Sequence, residues 1–393
     1  MTYENFASAQ SIFLWSTFAI ALIMGAVVNK TNFCTMGAVS DWVNMGDTGR
    51  LRAWVFAIAV GVLGVTALEA AGLVNVSSTF PPYRQNNLVW LENAVGGVLF
   101  GIGMTLASGC GNKTLVRIGG GNLKSVMVLL VIAVIAYFMV NPFPGSDKTL
   151  YSTLFYPWTN PTAITLTTNQ DLGAMLFGDK VATGRMVMGA VIGILMLVWA
   201  FKSADFRGSS DNILGGLVVG LAVLAAWYVT SNIKVDADGD ILSLQAYVQD
   251  WDLYAPADAV RPAAAGPLAS QSFTFINPMG QTLGYAASGF ARTLLTFGVM
   301  ALAGVIAGSL LWSLVSRSFR VEWFASARDF VNHMIGAILM GFGGVLAMGC
   351  TIGQGITGFS TLALGSVLTF AAIVLGSAAT MKVQYAMLMR AEG

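Results

Sequence analysis

Nothing constrains the fold of this chain more than a stretch that occurs twice, Gly96 to Cys110 and Gly336 to Cys350. A shift of 240 positions, the separation of Cys110 from Cys350, lays Gly96, Leu99, Gly101, Gly103, Leu106, Ala107, Gly109 and Cys110 on Gly336, Leu339, Gly341, Gly343, Leu346, Ala347, Gly349 and Cys350. Each copy reads as a Gly-rich apolar helix that stops at a Gly-Cys pair, then a polar Gly-rich turn, then another apolar run. Packing glycines beside a buried cysteine are the simpler account. A helix broken at mid-membrane depth is the sharper one. Irregular backbone is tolerated there only where protein encloses it or a cavity borders it, and paired broken helices in two halves point to a transport site.

Composition sets the solvent. With 56% hydrophobic residues, 10% charged residues and a mean hydropathy of +0.71, the chain belongs with polytopic membrane proteins, and its partner is the lipid bilayer. A net charge of +1 gives no basic footprint, so nucleic acid is not an expected partner. The 45 glycines suit close helix approach in lipid. The three cysteines, Cys34, Cys110 and Cys350, form no Cys-x-x-Cys motif and read as free thiols. No cofactor or metal motif is visible.

Taken in order, the chain gives about nine crossings of an all-α membrane fold. The first apolar run, Ser11 to Val28, follows Glu4 and precedes Lys30, with no Lys or Arg upstream, so it reads as a retained span with the N-terminus outside. Arg50, Arg52, Lys113, Arg117, Lys124, Lys202, Arg207, Arg317, Arg320, Arg328 and Arg390 then mark cytoplasmic ends, the last placing the C-terminus inside. Residues 1–393 form one integral membrane domain, with a first half-repeat over 11–141, an external cap plus linking span over 142–211, and a second half-repeat over 212–390. The loop Asn75 to Asn87, with its lone Arg84, reads as external. The acidic loop 231–284 is also external and carries Asp236, Asp238, Asp240, Asp250, Asp252 and Asp258; the next span is expected from Phe290 to Leu314. Asp236-Ala-Asp-Gly-Asp240 resembles part of a calcium loop, but Ala246 stands where the bidentate Glu belongs, and a solvated acidic surface is the better reading. By parity the Gly96 copy starts outside and the Gly336 copy inside, which makes the halves an inverted repeat. A weaker match of Phe33, Met36-Gly37 and Arg52 to Phe275, Met279-Gly280 and Arg292 puts the counterpart of Cys34 near Asn277-Pro278, leaving a fourth half-site without a thiol.

Cys34 in Cys-Thr-Met-Gly, Cys110 in Ser-Gly-Cys-Gly-Asn-Lys and Cys350 in Met-Gly-Cys-Thr-Ile-Gly-Gln-Gly resemble the YeeE/YedE sulfur-transport family over nearly the whole chain, apart from the two long external loops. The resemblance implies a compact inverted-repeat fold with cysteines stacked along a central path and uptake of thiosulfate across the inner membrane into the bacterial cytoplasm. It also implies, for some relatives, selenium or other reduced sulfur species, and a cytoplasmic sulfur-carrier protein that takes the product. The chemistry is compatible. Thiosulfate is a dianion with one large polarisable sulfur, and a neutral thiol is a weak donor that can meet it without holding it, so several weak sites permit exit. Each cysteine also precedes a segment whose free N–H groups favour an anion.

The substrate-binding candidates are therefore Cys34, Cys110, Cys350, Asn112, Lys113 and Gln354. Asn112 and Gln354 follow their cysteines by two and four residues and could reach sulfonate oxygens or simply pack the turn. Lys113 and Arg117 read as topology anchors or as receivers of the anion at the inner mouth. His333 reads as an interfacial cap rather than a proton-coupling group, and Glu69 and Glu92 as solvated helix ends. A thiolate metal permease would want Met-x-x-x-Met or Cys-x-x-Cys beside the cysteines. A membrane thiol oxidoreductase would want a resolving partner and a cofactor site. Neither set is visible, and the chain reads as a transporter and not an enzyme.

Overall fold

The computed structural model describes residues 1–257, 259–264 and 266–392, so Asp258 of the acidic loop lies outside the described residues. A two-residue strand β1 (Thr2–Tyr3) leads into α1 (Phe6–Thr31), whose cap Asn5 accepts the Ser8 N–H. Asn32, at φ 51°, turns the chain into α2 (Thr35–Ser40), which continues as a π-helical turn to Met45. The rest of the first half is α3 (Gly49–Ala70), β2 (Asn87–Leu88), α4 (Trp90–Leu106), α5 (Gly111–Gly119) and α6 (Leu123–Val140). A cap follows, made of α7 (Leu150–Leu154), α8 (Tyr156–Thr159), β3 (Ile164–Thr165) and α9 (Leu172–Phe177), and the linking helix α10 (Val181–Phe201). The second half contains α11 (Ala204–Gly208), α12 (Ser210–Asn232), the hairpin β4 (Lys234–Ala237) and β5 (Asp240–Ser243), α13 (Leu244–Gln249), α14 (Trp251–Tyr254), α15 (Ile276–Ala287), α16 (Phe297–Val315), α17 (Ala327–Leu346), a short helix over 351–360 and α18 (Leu364–Glu392). Among the described residues nine helical segments are long and apolar enough to cross a membrane.

The duplicated stretch becomes α4 and α17, and their glycines decide how they meet. A Cβ on Gly96 would lie 2.7 Å from the Ala347 nitrogen, and one on Gly103 would lie 2.6 Å from the Gly336 carbonyl. Low numbers of one helix thus meet high numbers of the other, so the two copies cross antiparallel, backbone on backbone, as close approach through small residues allows in lipid. By contrast α1 and α16 run parallel: Gly304 packs on Phe18 and Ala21, while Asn29 donates to Ser309 and Ser313.

One group of basic residues collects at one end. Lys113 donates to Asn32 at 3.0 Å, Lys124 pairs with Asp329 at 2.7 Å, Arg52 donates to the Trp199 carbonyl, and the Arg320 N–H reaches the Gly120 carbonyl. The opposite end is covered by the β1-β4-β5 sheet, the β2-β3 ribbon and the cap. There Glu92 is buried, contrary to the expectation of a solvated helix end, because the cap folds over it: the Tyr151 hydroxyl donates to it at 2.7 Å and the Thr159 hydroxyl at 2.8 Å. Partial burial and the hydrogen bond to Glu92 push the Tyr151 phenol up from its ordinary value. Nor is Glu69 free, since it holds Arg84.

The long acidic segment also folds more than its composition suggests. Asp236 to Asp240 forms a hairpin turn in which Asp238 (φ 54°) and Gly239 (φ 99°) take the left-handed pair of a tight two-residue connection, and Asp236 accepts the Gly239 N–H. Ile276 then starts α15, well before the expected loop end at Gly284. Pro278 does not prevent this, because it sits in the first turn, where the missing N–H has no helical partner to lose. The following span begins at Phe297 instead of Phe290, because Phe290 itself is in a left-handed turn (φ 64°).

Candidate functional site

Both copies of the repeat break in the same way. Ala107 and Ala347 donate to Gly103 and Gly343, each at 2.9 Å; Gly109 and Gly349 donate to Met104 and Gly344, each at 2.8 Å. Between them Ser108 and Met348 both stand at φ 56°, the left-handed residue that closes a helix in this pattern. A non-glycine residue there costs about 1 kcal/mol, so its recurrence in both copies marks a built feature. The chain then restarts as a helix immediately after each cysteine.

Cys110 is the N-cap of α5 and Cys34 the N-cap of α2, while Cys350 precedes the helix over 351–360. In each the N–H three residues on points at the sulfur: Gly37 for Cys34, Lys113 for Cys110 and Gly353 for Cys350, the last closing to a hydrogen bond of 3.4 Å. The fourth start is Phe275, N-cap of α15. These starts converge: Ile276 packs on Gly111 and Gly344, and Thr274 lies against Gly353. Four helix N-termini thus point into one buried region, where partial positive charge favours an anion.

The side chains form two half-sites. Cys34 and Cys110 stand side by side, and Thr351 faces Cys110 from the other half. Cys350 faces Thr274. The expected counterpart of Cys34 near Asn277-Pro278 is therefore wrong by a few residues. The 240-position shift that relates the cysteine breaks, applied to Cys34, lands on Thr274, and the aromatic match of Phe33 to Phe275 hid it. Cys34 also shares its half-site with a second thiol, and the half-site without a thiol partner is that of Cys350. All three cysteines are free and buried, Cys34 at 5% exposure and Cys350 at 0%.

Their access differs. A cavity of about 410 Å³ opens at the basic end and reaches Cys34; its walls include Arg50, Lys113, Arg117, Arg320 and Glu322. Arg50 is forked on the buried Asp41, and Glu322, which accepts from Asn122 at 2.6 Å, offsets one charge, so Lys113, Arg117 and Arg320 together leave the vestibule positive. On the other side Tyr83 covers the Cys350 turn: its hydroxyl donates at 2.9 Å to the carbonyl of Gly353, the residue whose N–H meets the sulfur. Neither Tyr83 nor Arg84 stands out in the sequence, since each belongs to a loop whose burial is set by tertiary packing.

The remaining candidates divide. Lys113 lines the vestibule, whereas Lys124 is spent on Asp329. Asn112 is buried beside Cys110, and its Oδ1 has no hydrogen-bond partner. Gln354 ties the Cys350 turn to the end of α17 by donating to the Ala347 carbonyl at 2.5 Å, and its Oε1 is likewise unpartnered. Thr274, Thr351 and Thr35 carry further unpartnered hydroxyls around the same convergence. Buried polar atoms without partners are unusual; the three threonine hydroxyls can donate to the oxygens of an anionic ligand, whereas the two amide oxygens only accept and call for a donor such as a thiol S–H. His333 lies outside this region, its Nδ1 2.8 Å from the Asp329 carbonyl within α17.

Two antiparallel broken helices with a buried polar convergence at their breaks define a membrane transport protein of the inverted-repeat class. The family model described as Sulphur transport matches residues 30–379, and the chain belongs to that family. It is 25% identical over 341 residues to the thiosulfate transporter TsuA of Escherichia coli (strain K12), covering 85% of this chain and 84% of that relative. To the thiosulfate transporter TsuA of Spirochaeta thermophila it is 22% identical over 375 residues, covering 93% and 97%. Family and relatives alike are named for transport and not for catalysis.

Proposed function

We propose that this chain carries thiosulfate, or a closely related sulfur-containing anion, across the plasma membrane into the cytoplasm, passing it between Cys350 and the Cys34–Cys110 pair. The observation that carries the reading is the meeting of three thiols and four helix N-termini in one buried region, joined to family membership. Partial positive charge attracts the sulfonate end, the thiols meet the soft sulfur, and Lys113 stands where the cysteine pair opens into the vestibule. The unpartnered amide and hydroxyl oxygens of Asn112, Gln354 and Thr351 border the route. The Thr351 hydroxyl can donate to substrate oxygens, and Asn112 can do so through its amide N–H groups, whereas the Gln354 amide already donates to Ala347.

The basic end is taken as cytoplasmic, which puts the N-terminus outside and the C-terminus inside. The positive vestibule then serves as the inner mouth, with Lys113 drawing the anion off Cys34, and it suits delivery to a cytoplasmic sulfur carrier. Tags give the orientation test: a label at Gly239 is expected to be reachable from outside and one at Phe319 only from inside, and labelling from the same side contradicts the assignment. The functional test is uptake of labelled thiosulfate in cells lacking any other sulfur source, where the chain is expected to restore growth and accumulation. Absence of both, with the protein present in the membrane, contradicts the substrate.

A further inference from the structure

The sealed side of the molecule holds a second chamber. A cavity of about 950 Å³ lies at the end away from the vestibule, and its walls include Glu69, Asn75, Arg185, Lys234 and Ser270. Arg185 is committed to the buried Asp171 through two contacts of 3.0 and 2.7 Å. Lys234 has no ion-pair partner among the described residues. The chamber floor is Glu69, and behind it stands Arg84, only 1% exposed, with a bidentate pair of 2.6 and 2.9 Å to that carboxylate.

The loop that carries Arg84 is a plug. Val74, Val76, Thr79, Tyr83 and Arg84 are all buried. The Arg84 Nε donates at 2.8 Å to the Thr361 carbonyl, just past the helix over 351–360, while the neighbouring Tyr83 donates to Gly353 near that helix's start. Two consecutive side chains therefore clasp the Cys350 helix at both ends. The single charged anchor of this clasp is Glu69, which faces the chamber. A planar guanidinium fork accepts carboxylate and other two-oxygen anions in the same geometry, so an oxyanion in the chamber can compete with Glu69 for Arg84.

We propose that the chamber is the outer antechamber of the transport path and that Arg84 is the anion-recognising residue of its gate: an entering oxyanion replaces Glu69 on the Arg84 fork, and the loop bearing Tyr83 withdraws from the Cys350 turn. The inference rests on the transport direction and anion class proposed above, and the test separates the two. A membrane-impermeant thiol reagent is added to spheroplasts expressing the full chain, and modification of Cys350 and Cys110 is followed by peptide mass spectrometry. Loss of the ion pair in Glu69→Gln is expected to speed Cys350 modification about tenfold, the scale on which one partly buried pair biases a two-state closure. Cys110 modification stays at the parental rate. Arg84→Lys, which keeps the charge but loses the fork, gives the same acceleration and raises the KM for thiosulfate uptake more than it changes the maximal rate. Equal Cys350 rates in parent and both variants overturn the gate, and so does a parallel rise at Cys110, which reports general loosening. If the parent moves no thiosulfate, the labelling result still decides the gate, and only the substrate assignment falls.

Discussion

The two half-sites share a backbone and differ in their side chains. Around Cys110 and Cys350 the helix breaks repeat hydrogen bond for hydrogen bond, down to the left-handed Ser108 and Met348. Yet the Cys110 side holds a second thiol, Cys34, and opens into a positive vestibule, whereas the Cys350 side holds Thr274 and lies shut beneath Tyr83 and Arg84. The lesson is that duplication supplied the architecture and local substitution made the two half-sites unequal. Two identical half-sites would bind the anion equally from either face. Here the cluster of Lys113, Arg117 and Arg320 borders the cavity that reaches the two-thiol side, while the Arg84–Glu69 pair stands on the other.

The largest expected effect tests the shared part. A Cβ on Gly103 or Gly336 would strike the opposite backbone at 2.6 Å, so Gly103→Val and Gly336→Val are each expected to cost about 3 kcal/mol or more and to abolish recovery of folded protein. Monodisperse elution and a parental melting temperature in detergent for either variant contradict the antiparallel crossing. The next effect tests the difference. Lys113→Glu reverses a charge in the vestibule and is expected to slow thiosulfate uptake roughly tenfold by repelling the anion. Lys124→Glu, which breaks a partly exposed pair with Asp329, has a minor effect, on the order of 1 kcal/mol or less in stability. Equal slowing at matched expression assigns both lysines to topology alone.

A smaller effect comes from making the half-sites alike. Thr274→Cys changes little volume and is expected to leave uptake within about threefold of the parent, as a near-isosteric swap does. A mild oxidant should then link position 274 to Cys350; failure to form that disulfide contradicts the facing of the two side chains. The smallest is remote from both half-sites. Tyr151→Phe removes one hydrogen bond from Glu92 under the cap and is expected to lower stability by about 1 kcal/mol with uptake unchanged. A loss of uptake without a loss of stability would give the cap a part in transport.

Much of this was legible from residues alone, for physical reasons. The Gly-Cys repeat is legible because close backbone crossing in lipid admits only small residues, so the constraint is written at fixed positions in both copies. The nine spans follow from hydropathy, and the gathering of Lys113, Lys124, Arg52 and Arg320 at one end follows from the placement of basic residues between spans. The misplaced counterpart of Cys34 shows the limit. The aromatic pair Phe33 and Phe275 is local in sequence, while the pairing of Thr274 with Cys350 is a contact between segments. Glu92 reads as a solvated helix end because charged residues between spans usually are exposed, and Arg84 reads only as part of an external loop. Their burial depends on the cap and the plug loop folding back over them, which no local pattern records.

The central claim is that the thiols at the matched breaks conduct the anion, and initial uptake of labelled thiosulfate tests it, comparing the parent with Cys110→Ala, Cys350→Ala and Cys34→Ala at equal membrane abundance. The account predicts that all three variants lose uptake, with Cys350→Ala the most severe, since its half-site has no second thiol to take over, and that serine at the same positions restores little, because its oxygen is harder and more strongly hydrated than sulfur. If the cysteines are only small buried side chains, each alanine costs about 1 kcal/mol of stability and leaves transport intact. Parental uptake rates in Cys110→Ala and Cys350→Ala would contradict the claim.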